Sequence, residues 1–386
     1  MKNIQFLNKI AKIGTDRLPK DAYTLAAEVA SPDGILVRSA AMHDMAFDSN
    51  LLCIARAGAG VNNIPVDRCS EEGIVVFNTP GANANGVKEL AICALLLASR
   101  KIVDGIAWAQ SLTDSEDVAK AVEKGKSAFA GTELRGKTLG VIGLGAIGGL
   151  VANAAIKLGM KVVGCDPFLS VDAAWNIDQH VVKAASFDDV FAVSDYVTLH
   201  VPATKDTKGM ISAESIAKMK DGVKIINLAR ADLVVAADVK AALESGKVSA
   251  YVTDFPTAEV LGVNGIVTIP HLGASTEESE DNCAIMACDQ LRDYLEDGNI
   301  KNSVNFPNTS MPRTGDCRLC ILHTNIPAVI SKITASVSSR GVNIENMLNR
   351  SKGQYACTLL DIDGTVPDAT VRELCAIEGV LRVRVL

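Results

Sequence analysis

The chain has 386 residues, 48% of them hydrophobic and 22% charged, with a formal net charge of −7. That length asks for two or three domains, and the composition is that of an ordinary globular protein. The acidic balance argues against a nonspecific nucleic-acid binder, though not against a local basic pocket for an acidic ligand. No apolar run reaches the length of a membrane span.

In chain order, the start "MKNIQFLNKIAKIG" lacks a signal-peptide layout, so a cytoplasmic location is expected. Residues 1–98 alternate short apolar runs ("GILVRS", "LLCIARAG", "GIVVFNTP") with helical stretches, and "AICALLLAS" reads as a buried helix. Residues 99–280 carry the densest strand series: "TLGVIGLG", "KVVGCDP", "YVTLHVP", "VKIINLAR", "VSAYVTDFP" and "GIVTIPHLG". Strands apolar on both faces and separated by helices predict a parallel sheet covered on both sides. "NCAIMACDQLRDYLEDGN" predicts an amphipathic helix closed by Gly298, and residues 301–316, rich in Asn, Ser, Thr and Pro, read as a linker. From 317 to 386 the order strand, helix, strand, strand, helix, strand is the ferredoxin-like pattern. The ten cysteines are scattered. Cys317 and Cys320 form a lone C-x-x-C on a strand, without a second pair or a nearby histidine, so reduced thiols are expected and no metal site.

Chemistry concentrates in the middle. G-x-G-x-x-G occurs at Gly143, Gly145 and Gly148, after an apolar strand and at the opening of a helix, with Asp166 ending the next strand. That context is the one a dinucleotide-binding turn requires. Gly143 allows the tight turn, Gly145 the approach of a pyrophosphate to the helix N-terminus, and Gly148 close packing of helix on strand. Asp166 would accept the adenosine ribose hydroxyls and repel a 2′-phosphate, favouring NAD over NADP. "PTAEVLGVNGIVTIPHLGAST" then places a carboxylate expected to be buried, Glu259, shortly before His271 at a strand end. Such a pair is either a general acid–base couple or an ion pair without chemistry. Arg230 follows directly on a strand, at the edge where doubly wound sheets build their sites, and supplies a cation for a substrate carboxylate.

"INLAR", "DFPTAE" and "PHLGAST", with "GTELRGKTLGVIG" before the glycines, resemble the catalytic and nucleotide-binding segments of the D-2-hydroxyacid dehydrogenases. "ILVRSA", "ARAGAGVNNI" and "FNTPGANANGVKEL" resemble that family's substrate domain. "NSVNFP" and the small terminal domain narrow the resemblance to the branch that oxidises a phosphorylated 2-hydroxy acid at the head of serine synthesis. The resemblance implies a Rossmann-type doubly wound sheet (99–280) inserted in a discontinuous flavodoxin-like substrate domain (1–98 and 281–308). A linker (309–316) and a ferredoxin-like ACT domain (317–386), a small amino-acid sensor, would follow. The expected assembly is a homo-oligomer, dimer or tetramer, with no nucleic-acid or membrane partner.

Carried over position by position, Arg230 would bind the substrate's carboxylate, His271 would be the acid–base and Glu259 its orienter. NAD would contact Thr79, Gly143, Gly145, Ala146, Ile147, Gly148, Asp166, Val201, Leu228, Ala229, Arg230, Asp254, His271, Gly273 and Ala274. Arg38, Arg56, Gly58 and Asn78 fall at anion- and substrate-binding positions, and Lys124 or Lys126 in a segment able to serve a neighbouring subunit. His323, Asn325 and Asn343 match effector positions, with L-serine implied. The chain departs from the family pattern at Ala328 and Ala231, where glycine is usual, at Val235, where aspartate is usual, and at Ala146, where many relatives carry arginine. Two other readings remain at this stage: a dehydrogenase for glycerate, lactate or a bulkier acid, and a nicotinamide-sensing binding protein.

Overall fold

The apolar runs become strands with alternating or fully buried side chains, and the helical stretches cover them. The computed structural model describes residues 1–386, as two compact units: Met1–Asn83 with Glu280–Leu386, and Ala84–Ser279.

In the first unit, β1 (Lys2–Phe6), β2 (Tyr23–Ala26), β3 (Gly34–Val37), β4 (Cys53–Arg56) and β5 (Val75–Phe77) form a parallel sheet. Its order, β2-β1-β3-β4-β5, is the flavodoxin-like one. Period-2 alternation splits β4 between two cores. Cys53 and Ala55 face Leu291, Tyr294 and Leu295 of the helix Glu277–Asp297. Ile54 faces Met42, Ile64 and Cys69. β1 and β2 escaped the sequence reading because only Ile4 in β1 and Tyr23 in β2 are buried.

The second unit holds β6 (Thr138–Ile142), β7 (Lys161–Cys165), β8 (Val182–Lys183), β9 (Tyr196–Leu199), β10 (Val223–Asn227), β11 (Val248–Thr253) and β12 (Ile266–Thr268). They are parallel in the order β12-β11-β10-β9-β6-β7-β8. The order reverses between β6 and β9, which is where open α/β sheets leave a crevice. The helix Ala84–Ser99 packs Ala91, Ala94, Leu95 and Ala98 on Leu139, Val141 and Val252, so the unit begins at Ala84 rather than after residue 98.

Antiparallel β13 (Cys317–Thr324), β14 (Ile344–Lys352), β15 (Tyr355–Ile362) and β16 (Val380–Val385) make the ferredoxin-like sheet, in the order β14-β15-β13-β16. The helices Val329–Ser338 and Asp368–Cys375 cover one face; Val329, Ile333 and Leu374 pack there on Leu319 and Leu360. The opposite face is not free. Cys320, Leu322, Cys357 and Leu359 continue the core around Tyr294 and Leu295, so this sheet belongs to the first unit. Arg384 donates to the carbonyls of Tyr294 (2.8 Å) and Leu295 (2.8 Å), capping the C-terminal turn of the long helix where cations are favoured. The polar stretch after residue 301 is also built in. The Asn305 side chain accepts from Val76 N (2.9 Å) and donates to Ile74 O (2.9 Å), and Phe306 is fully buried. A polar composition here reflects edge pairing with β5 rather than freedom.

The departures from the family pattern have different local consequences. Ala231 has no positive φ, so its methyl brings no left-handed backbone strain. Val235 sits at the N-cap of the helix Ala236–Glu244 without a side-chain hydrogen bond, where an aspartate would supply one. Ala328 lies in the left-handed region (φ 67°) at the N-cap of Val329–Ser338. A Cβ there costs roughly 1–2 kcal/mol, so Ala328→Gly is expected to stabilise the first unit by about 1 kcal/mol. The check is the urea midpoint at unchanged m-value; no gain would mean that the loop relaxes the strain.

Candidate functional site

β6 leads into Gly143 (φ 89°), where a Cβ would stand 2.5 Å from the carbonyl of His200. A Cβ on Gly148 would fall 1.9 Å from Gly143 O, so both positions require glycine. Gly145, the N-cap of the twelve-residue helix Ala146–Lys157, has nothing within 4 Å of its would-be Cβ and no side chain capping it. The turn therefore presents open space in front of the backbone of Ala146 and Ile147, where a helix N-terminus favours an anion. Asp166 follows β7; its carboxylate accepts from Leu144 N (2.9 Å) and Phe168 N (2.9 Å), holding the glycine turn in place. Val201 follows β9, with its methyl 2.8 Å from the would-be Cβ of Gly143. Burial pushes neighbouring His200 down to about 4, and its Nε2 meets Thr198 Oγ1 at 3.0 Å, so this ring is a neutral wall of the crevice.

At the end of β10, Asn227 is fully buried and organises an Asx turn. Its Nδ2 donates to Arg230 O (2.8 Å), while its Oδ1 accepts from Ala229 N (3.2 Å) and Arg230 N (3.3 Å). Leu228 is buried beneath this turn and Arg230 is exposed upon it. The sequence reading missed Asn227, although an asparagine closing a strand just before the arginine was the available signal.

Asp254, one residue beyond β11, is 1% exposed and its Oδ1 has no hydrogen-bond partner. Burial raises its pKa, opposed by the charges of His271 and Arg230 and by the N–H of Gly273. His271 is exposed and packs its ring on Phe255, with centroids 4.7 Å apart. Gly273 is buried and Ala274 half-buried behind it. Glu259 is not the buried carboxylate expected. It lies exposed in a turn whose apolar anchor is its neighbour Val260, and it forms no hydrogen bond with His271. It lines a cleft of about 280 Å³ with Lys208, Asp232, Tyr251 and Phe255.

In the first unit, Arg38 leaves β3 with its N–H on Asn8 Oδ1 (3.0 Å) and its guanidinium on Glu280 (2.6 Å). Arg56 ends β4; its Nε donates to Asn63 (3.1 Å), and its guanidinium occupies the space above Gly58 that a Cβ would need. Asn78 donates to Ala59 O (2.6 Å). The hydroxyl of Thr79 is fully buried without an oxygen or nitrogen partner, while its N–H donates to Gly58 O (3.1 Å). In the second unit, Lys124 lies on the exposed helix Val118–Gly125, and Lys126 just beyond it pairs with Glu123.

At the far end of the chain, His323 is 2% exposed inside β13. Its Nδ1 meets Thr324 O (2.8 Å) and its Nε2 meets Thr358 (2.9 Å), so the ring is committed within the sheet. Asn325 donates to Gly353 O (3.3 Å), and Asn343 is exposed.

The second unit is thus a dinucleotide-binding α/β unit with an arginine and a histidine at its carboxyl edge. Residues 93–273 match the model of the D-isomer specific 2-hydroxyacid dehydrogenase NAD-binding domain. The chain is 37% identical over 297 residues to the D-3-phosphoglycerate dehydrogenase of Archaeoglobus fulgidus, covering 74% of this chain and 53% of that protein. It is 30% identical over 349 residues to D-3-phosphoglycerate dehydrogenase 1 of Saccharomyces cerevisiae, covering 84% and 71%. The NAD⁺-bound 3-phosphoglycerate dehydrogenase structure from Entamoeba histolytica superposes with a TM-score of 0.60 at 27% identity, covering 79% of this chain and 98% of that one. Against the first of these relatives the chain spans about half the partner's length. The chain belongs to the D-isomer specific 2-hydroxyacid dehydrogenase family and carries that family's NAD-binding domain. The open glycine cradle and the orphaned buried oxygen of Asp254 fit that cofactor.

Proposed function

We propose that the chain is an NAD-dependent oxidoreductase that converts D-3-phosphoglycerate to 3-phosphohydroxypyruvate, the first step of L-serine synthesis. The observation that carries the chemistry is a glycine cradle, an arginine whose backbone is held by Asn227 and a histidine packed on Phe255, next in the chain to the buried Asp254, all within one unit. The cofactor, when bound, accepts the hydride from C2. Arg230 holds the substrate carboxylate, and His271 takes the hydroxyl proton as the C2–H bond breaks, so alcohol becomes ketone with charge balanced. Glu259 supports the imidazolium as the family pattern implies, and Asp254 adds its negative field. Arg38, Arg56, Gly58 and Asn78 bind the phosphorylated end. Thr79, Val201, Leu228, Ala229 and Gly273–Ala274 contact the cofactor, and Asp166 the ribose. The substrate, nucleotide and ACT portions divide as the family pattern implies. The ACT portion supports a homo-oligomer and takes L-serine at Asn325 and Asn343; His323 shapes that loop from within the sheet. Lys124 or Lys126 serves a neighbouring copy.

The names of the relatives support the substrate. A second reading, an unphosphorylated acid such as D-glycerate or D-lactate, is favoured by the Arg38–Glu280 pair, in which a carboxylate already neutralises Arg38. The discriminating measurement is NADH formation with 3-phosphoglycerate, D-glycerate and D-lactate. Charged hydrogen bonds contribute about 1.5–3 kcal/mol each, so two arginines predict a kcat/KM advantage of at least ~10² for the phosphorylated acid. Equal use of glycerate would overturn the phosphate reading and leave the class intact.

A further inference from the structure

We propose that Glu280 is the resident counter-ion of the anion site, a specificity-determining carboxylate that a phosphorylated substrate displaces from Arg38. This rests on the reading that Arg38 receives the substrate's phosphate. Glu280 lies in the first turn of the helix Glu277–Asp297 and bonds Arg38 at 2.6 Å. The backbone of Arg38, Ser39 and Ala40 is tied to Asn8 Oδ1 at 2.9–3.0 Å, so the base of the arginine is fixed while its guanidinium is held by the glutamate. Val37 pairs with Arg56 across β3 and β4, so Arg38 and Arg56 leave neighbouring strand ends, with Glu280 on the guanidinium of Arg38. A phosphate monoester carries nearly two negative charges at neutral pH, more than the single carboxylate that meets Arg38 here.

The pair is weak enough to exchange. Both side chains are about 43–44% exposed, and such a surface pair contributes roughly 0–1 kcal/mol. A phosphate offers the guanidinium a bidentate, charge-assisted partner in its place. After displacement, a carboxylate remains beside the bound dianion and opposes it. Glu280 therefore sets a threshold: it weakens binding of every anion at this position and leaves neutral ends unaffected.

The test is steady-state kinetics of the full chain with Glu280→Gln and Arg38→Ala, using 3-phosphoglycerate, D-glycerate, and inorganic phosphate as a competing probe. Glutamine keeps the length and loses the charge. The expected result for Glu280→Gln is a roughly 5-fold fall in KM for 3-phosphoglycerate and in the inhibition constant of phosphate, with little change for glycerate. Arg38→Ala should shift the same constants the opposite way. If Arg38→Ala weakens 3-phosphoglycerate while Glu280→Gln leaves its KM unchanged or raises it, the counter-ion role is overturned and the phosphate reading stands. If neither substitution alters the preference for 3-phosphoglycerate over glycerate, Arg38 is not the phosphate ligand and both fall together. Unchanged thermal midpoints exclude a folding defect in either variant.

Discussion

His271→Ala is expected to lower kcat by about 10²–10⁴ while the dissociation constant of NADH stays within a few-fold of the parent, because a positioned base contributes that much to a proton transfer. His271 packs on Phe255 at the end of the β12 segment. Removing the imidazole leaves the glycine cradle and Asp166 untouched, since these are held by β6, β7 and their own backbone bonds. The readouts separate: kcat from NADH formation, cofactor affinity from quenching of protein fluorescence. Glu259→Gln, at an exposed side chain without a hydrogen bond to the ring, should cost less than His271→Ala and alter the pH profile of kcat. A His271→Ala protein with parental kcat would end the acid–base assignment. A larger loss for Glu259→Gln would mean that the pair forms only with ligands bound.

Arg318→Met is the substitution expected to cost most stability. Arg318 and Asp361 form a fully buried ion pair on adjacent strands, with Nε–Oδ1 at 2.6 Å and Nη2–Oδ2 at 2.9 Å. The other guanidinium donors reach Asp297 O (3.1 Å), Met311 O (3.1 Å) and Pro312 O (2.9 Å), tying sheet, connecting segment and long helix together. Breaking such a pair on one side leaves a buried charge and costs about 3–5 kcal/mol. Changing both, as Arg318→Met with Asp361→Leu, should recover much of that. A double variant no better than the single would show that the carbonyl contacts, not the stranded carboxylate, account for the loss. The pH dependence follows from Asp361. Burial raises its pKa, but the Arg318 hydrogen bonds and charge and the N–H of Thr314 outweigh it, so the folded value lies below the ordinary one. The unfolded chain then binds the extra proton, and the stabilisation is present above about pH 4 and lost as pH falls through the depressed value. Urea midpoints between pH 7 and pH 3 should fall more steeply in the parent than in the double variant.

The glycine turn, both β-rich series and the ferredoxin-like order were legible because each rests on local spacing: G-x-G-x-x-G between strand and helix, apolar runs of strand length, and Gly298 closing a helix (φ 69°). β1 and β2 were not legible, since each buries a single side chain, too few to mark a run. Arg230 was legible from its place after a strand; Asn227, which orients its backbone, was passed over as part of that strand.

What the sequence by itself determined is therefore the set of chemical groups and the turns that present them, because a backbone conformation such as that of Gly143 is dictated by a few neighbouring residues. Only the tertiary structure decided which charges meet. Glu280 takes Arg38, and Asp361 takes Arg318. The terminal sheet packs its second face into the core around Tyr294 instead of hanging on a linker. These outcomes join residues up to hundreds of positions apart. They depend on burial, which sets the cost of an unpaired charge and which no local pattern encodes.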